Sequence, residues 1–272
     1  MPTLRSVMTL LAAMAALPTA QASNPPPATP TTVAAAGHAV DDPARLLALL
    51  TRSPSLAQQA QALSSAGVLR GVSVVPAGEP LSFHGRPRSA ALVGGVMTIS
   101  AELLTGLQAW ARRRHLDSTD MAVVYILAHQ VGHAMQHERM QTLMTELRAV
   151  VAAEGDQPGP QSQAMQQRYA DAMLEMEAAA TLIGWNYTVD AWLHDQQIPC
   201  GPHDDPDIST RQVLAQSTLM DQMAHIEPIL AAMRQENGQA IKIAAHGIED
   251  TAHNRAALVA GLRSMPGALD IE

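Results

Sequence analysis

Cysteine is nearly missing from this chain. Cys200 is the single one among 272 residues, so no intramolecular disulfide can form, and stability must come from the core and any bound metal. Basic residues are scarce as well. Seventeen Lys and Arg stand against 25 Asp and Glu, for a formal net charge of −8 and a pI near 5.7. That balance excludes a nucleic-acid-binding surface, which concentrates positive charge. The one basic run, Arg112 to Arg114, reads as a solvated helix end. No stretch is long and apolar enough to span a membrane: the uncharged run Val7 to Leu17 falls short of the ~20 residues required.

That same run has another reading. Arg5 ahead of it and Ala20-Gln21-Ala22 behind it give residues 1–22 the form of a cleavable signal peptide, with the cut before Ser23. Export would place the protein in the periplasm or outside the cell, with no stable membrane anchor after cleavage. Residues 23–40 are Pro, Ala and Thr without charge or periodicity and are expected to form an extended tether. The rest, 41–272, supplies enough apolar material for a single domain, the whole chain being 47% hydrophobic.

Within that domain, an Asp cap before Pro43 predicts the first helix, and a second covers about Ser55 to Ser65. Val68 to Phe83, with Val72, Val74 and Val75 before a Pro76-Ala77-Gly78 turn, predicts a β-hairpin whose partner is Leu92 to Ser100, interrupted at Gly94-Gly95. Helices are then expected at Ala101 to Arg114, Met121 to about Val151, Ala164 to His194, Ser209 to Glu236 and Ala240 to Leu262, with a loop from Glu154 to Gln163. The class is α+β, predominantly helical, with a small antiparallel sheet.

Catalytic zinc takes three protein ligands and leaves one position open, and histidines one helical turn apart supply two of the three. His129 and His133 have that spacing. Eleven histidines in this chain would produce roughly 0.4 such pairs by chance, so the context carries the weight. The preceding turn, Tyr125 to Ala128, is wholly apolar, so both imidazoles enter a buried environment where an unpaired polar group is costly. A metal is one partner; hydrogen bonds to core histidines are the other. Gly132, between the two, fits a place where another backbone packs closely.

The stretch Leu127 to Met135 resembles the "LAHE-x-GH" helix of gluzincin zinc metallopeptidases related to the HtpX heat-shock protease and the CAAX prenyl protease. Glu175-Met176-Glu177-Ala178-Ala179 is similar to the E-x-E-A-D segment of that family, and His203 to Pro206 with Arg211 to its H-P…R segment. Gly95 to Ser100 with Ala101 to Leu104 looks like the edge strand and helix start that precede the zinc helix. The resemblance implies a zincin-like domain binding one Zn2+ through His129, His133 and Glu177, with Glu175 as the alternative third ligand. It also implies His203 as oxyanion stabiliser, Arg211 as its structural partner, and a peptide or unfolded protein as substrate, held along the edge strand.

Gln130 stands where the family has the glutamate that acts as general base. An amide can orient water but cannot accept its proton, and general acid–base catalysis contributes typically ~10² to 10⁴ in rate. Peptide-bond hydrolysis is therefore expected to be strongly impaired, with zinc binding intact; a pseudopeptidase that only binds peptides is the alternative. His137 is expected in solvent or behind the ligands, because three ligands along one straight helix cannot converge on one ion. Tyr187 is assigned to core packing, His194 to the surface, and Cys200 to a turn. Met165, Met173, Met176, Met220 and Met223 are assigned to gaps in the core.

Overall fold

The computed structural model describes residues 42–83, 86–114, 116, 118–154, 159–223, 241 and 243–264. The expected signal peptide and tether lie outside these residues, as does the expected helix beyond 223. Helices α1 (Pro43–Leu50) and α2 (Pro54–Ser65) begin in the same way. Asp42 accepts from Ala44 N, Ser53 accepts from Leu56 N, and a proline follows each cap. The cap satisfies a backbone donor that has no partner inside the helix, and proline has no N–H to lose there. Leu46, Leu49 and Leu50, then Leu56 and Leu63, point into the core.

Five strands follow: β1 (Gly71–Val75), β2 (Ser82–Phe83), β3 (Arg86–Pro87), β4 (Ala90–Val93) and β5 (Val96–Ser100). The main sheet has the order β1-β5-β4, with β1 parallel to β5 and β4 antiparallel to it. This corrects two expectations. The sheet is mixed, not antiparallel, and Val96 to Ser100 is its central strand, leaving β1 and β4 as the edges. The Pro76-Ala77-Gly78 turn forms, with Gly78 N donating to the Glu102 carboxylate, but it does not fold the chain back on β1. The chain instead passes through the β2–β3 ribbon and returns as β4, and a crossover of this kind is what parallel pairing requires. Gly94 and Gly95, with φ of 56° and 82°, make the two-residue turn between β4 and β5, where both central residues need positive φ.

Ser100 ends β5 and caps α3 (Ala101–Arg113) through Leu103 N. Helices α4 (Asp120–Met135), α5 (His137–Glu154), α6 (Pro160–Asp195) and α7 (Pro206–Met223) form the bulk of the domain. The single helix expected from Met121 to Val151 is broken at Gln136. α4 is buried nearly all round, as a central helix must be, and it packs on α6, α1, α2 and β4. With 36 residues, α6 is about 54 Å long at ~1.5 Å per residue. Its start is capped from a distance by Glu154, which accepts from Gly159 N, Gln161 N and Ser162 N. Trp185, Leu127, Leu182 and Leu193 sit fully inside. The five methionines assigned to the core are all buried, Tyr187 packs partly buried against it, and His194 is exposed. Among the described residues no helix is long and apolar enough to cross a membrane.

The expected helix from Ala240 to Leu262 is also corrected. Strands β6 (Ile243–Ala244) and β7 (Gly247–Ile248) make a short hairpin, and only α8 (Ala252–Ser264) is helical. Asn186 on α6 imposes this: its Nδ2 donates to Ile248 O and its Oδ1 accepts from Ile248 N, both at 2.8 Å. The side-chain amide thus pairs β7 as a neighbouring strand would. Asn186→Ala leaves both backbone groups without that partner, for an expected loss of about 1–3 kcal/mol in stability. Denaturant unfolding measures it, and an unchanged midpoint would contradict this role.

Candidate metal centre

Helices α4 and α6 run antiparallel and pack more closely than ordinary side chains allow. A Cβ on Gly132 of α4 would lie 2.8 Å from Ala180 Cα of α6, and one on Gly184 of α6 would lie 3.2 Å from His129 Cα of α4. Each helix therefore presents its glycine to the backbone of the other. Gly132 was expected to permit such an approach; Gly184 was not singled out, although Ala180 and Gly184 fall on the same helical face as Glu177 at spacings of three and seven.

This proximity brings three side chains together. His129 Nε2 lies 3.0 Å from Glu177 Oε1, His133 Nε2 lies 3.3 Å from Glu177 Oε2, and the two Nε2 atoms are 3.0 Å apart. The imidazole rings meet edge to face at 4.7 Å. All the ligand atoms fall within 4.8 Å of one another. A tetrahedral zinc with bonds of ~2.0–2.1 Å separates its donors by about 3.3 Å, so the observed spacings fit one ion. The donor set fits too, since two imidazoles and a carboxylate converge. The group could hold a metal ion.

The electrostatics point the same way. Glu177 is 7% exposed at its side chain, and His133 21%, so the carboxylate is inside while solvent reaches the cluster past the imidazole. Burial pushes the Glu177 carboxyl up, but the His129 charge and hydrogen bond, followed by His133 beside it, outweigh it and hold the group well below the usual carboxylate range. Its Oε2 meets His133 as an ion-pair contact without hydrogen-bond geometry. A buried carboxylate needs cationic company.

The other candidates separate clearly. Glu175 is exposed and pairs with Arg139 on α5, and it is not in the group with the two histidines: two residues along a helix is roughly 200° around it. Gln130 is buried, and its amide oxygen has no hydrogen-bond partner among the described residues. His137, the first residue of α5, is exposed. His203 and Arg211 are exposed as well, His203 ahead of α7 with its carbonyl accepting from Ser209 Oγ; neither belongs to the ligand group. Cys200, ahead of α7, is exposed as a residue, but partial cover of its sulfur and the neighbouring Asp190 push the thiol up to about 12, which makes it a poor nucleophile. A groove of about 710 Å³ between α5 and α6, walled by Arg139, Glu146, Arg168 and Glu175, is lined by none of the three ligands.

Comparison of the chain with family models, with curated proteins and with solved structures finds no match.

Gly132→Ala tests the close approach. The added methyl gains about 1 kcal/mol of helix propensity, but overpacking against a backbone costs typically ~1–3 kcal/mol. A net loss of stability is expected on chemical denaturation. A variant more stable than the parent by about 1 kcal/mol, the propensity gain alone, would show that the helices are not in contact here.

Proposed function

We propose that this protein is an exported zinc-binding protein built on a metallopeptidase plan, with one Zn2+ held by His129, His133 and Glu177 and with Gln130 at the general-base position. The observation that carries it is the convergence of the three ligand atoms inside the contact of α4 with α6. Two histidines and a glutamate with a fourth position open are a donor set of catalytic zinc. Bound there, zinc supplies a Lewis acid for the carbonyl of a peptide bond.

The chain's own residues define what else happens. β4 is an edge of the main sheet and packs against α4, so an extended peptide pairing with its main chain would lie alongside the metal helix. This moves the peptide-holding role from β5, which is central, to β4. His203 and Arg211 keep the roles the family resemblance implies, as donor to a developing oxyanion and as its support, but the reading does not depend on them. Gln130 decides the rate. Its amide can donate and accept hydrogen bonds, yet it has no atom basic enough to take a proton from water, and the loss of a general base is worth ~10² to 10⁴ in rate.

Gln130 also supports a second reading: a module that captures peptides or unfolded proteins and does not cut them. The two readings diverge under one substitution. Purified protein is expected to contain one zinc per chain, and His129→Ala to remove it; Gln130→Glu is then expected to cleave casein at least ~10²-fold faster than the parent. Metal content and casein turnover check both points. A metal-free parent would end the zinc reading, and a zinc-loaded but inactive Gln130→Glu would leave the binding module.

A further inference from the structure

Helix α4 ends at Gln136 in an unusual way. An uninterrupted helix would direct Gln136 N to the carbonyl of Gly132, four residues back. Here Gln136 N bonds to His133 O at 3.0 Å, and the freed Gly132 carbonyl is taken by the side chain of Gln136 itself, Nε2 to O at 3.1 Å. The same Nε2 donates to Met176 O on α6 at 3.0 Å. One amide group therefore ties the carbonyl between the two histidines to the carbonyl just before Glu177.

We infer that Gln136 is a positioning residue for the metal centre: its side-chain amide holds the turn that carries His133 against the turn that carries Glu177. The inference rests on the metal-centre reading above and deepens it. The chemistry is restrictive. Binding two carbonyl oxygens from one atom takes a nitrogen with two N–H groups, which the amide has. Glutamate has the same shape but presents oxygen to oxygen, and methionine has similar length with no donor. Neither substitution touches a ligand atom. What each removes is the link that fixes the distance from His133 Nε2 to Glu177, so metal affinity should respond even where the fold survives. Groups behind the ligands typically contribute 10- to 100-fold to metal affinity.

The test uses the full chain as parent, Gln136→Glu and Gln136→Met. Zn2+ affinity is measured by competition with a chelating indicator, Co2+ coordination by the visible spectrum, and folding of the metal-free protein by circular dichroism at the titration temperature. Both variants are expected to stay folded, to bind Zn2+ about 10-fold or more weakly, and to shift the Co2+ bands. If Gln136→Glu does not fold, Gln136→Met decides alone. Equal Zn2+ affinity and an unchanged Co2+ spectrum in Gln136→Met would overturn the inference, even with a lowered melting temperature, since that would be a structural contribution only. A parent chain that binds neither ion would overturn the underlying metal reading and this inference with it; a parent that binds and variants that bind equally well would remove this inference alone.

Discussion

The distance between two helices governs most of this molecule. α4 and α6 touch backbone to backbone where Gly132 faces Ala180 and where Gly184 faces His129. At that separation a glutamate side chain on one helix reaches two imidazoles on the other; with ordinary residues at the two glycines, the helices would stand too far apart for those side chains to meet. The packing and the site are thus one constraint. The carboxylate and imidazoles would be costly inside if they were separated, and the contact that buries them also brings them together.

The surroundings hold that contact in place. α4 is wrapped by α1, α2 and β4 as well as α6, so it has little exposed surface of its own. Arg45 on α1 and Arg52 in the α1–α2 connection both reach Asp120 at its first turn, while Ser53 reaches Asp190 on α6. Such partly exposed ion pairs are worth little each. Their effect is on direction: they fix where α4 starts, as Gln136 fixes where it ends.

What could be read in the sequence was what short-range chemistry decides. The Asp cap before Pro43, the His129–His133 pair on an apolar turn and the glycine between them all follow from neighbours within a few residues. The features that escaped are those set by a distant partner. Parallel pairing of β1 with β5 depends on residues about 25 positions apart, the break at Gln136 on Met176, 40 positions away, and the β6–β7 hairpin on Asn186, 62 positions away. The choice between Glu175 and Glu177 belongs to the same group. The two carboxylates point to opposite sides of α6, and only the positions of α4 and of Arg139 show which one faces inward.

X-ray absorption at the zinc edge of the zinc-loaded chain tests the central claim most directly. Two histidine nitrogens at ~2.0–2.1 Å and carboxylate oxygen at ~2.0–2.2 Å are the expected shell, and Glu177→Ala should alter the oxygen contribution while the imidazole signature stays. A sulfur shell at ~2.3 Å, which would bring in Cys200, or a zinc environment without histidine, would contradict the account.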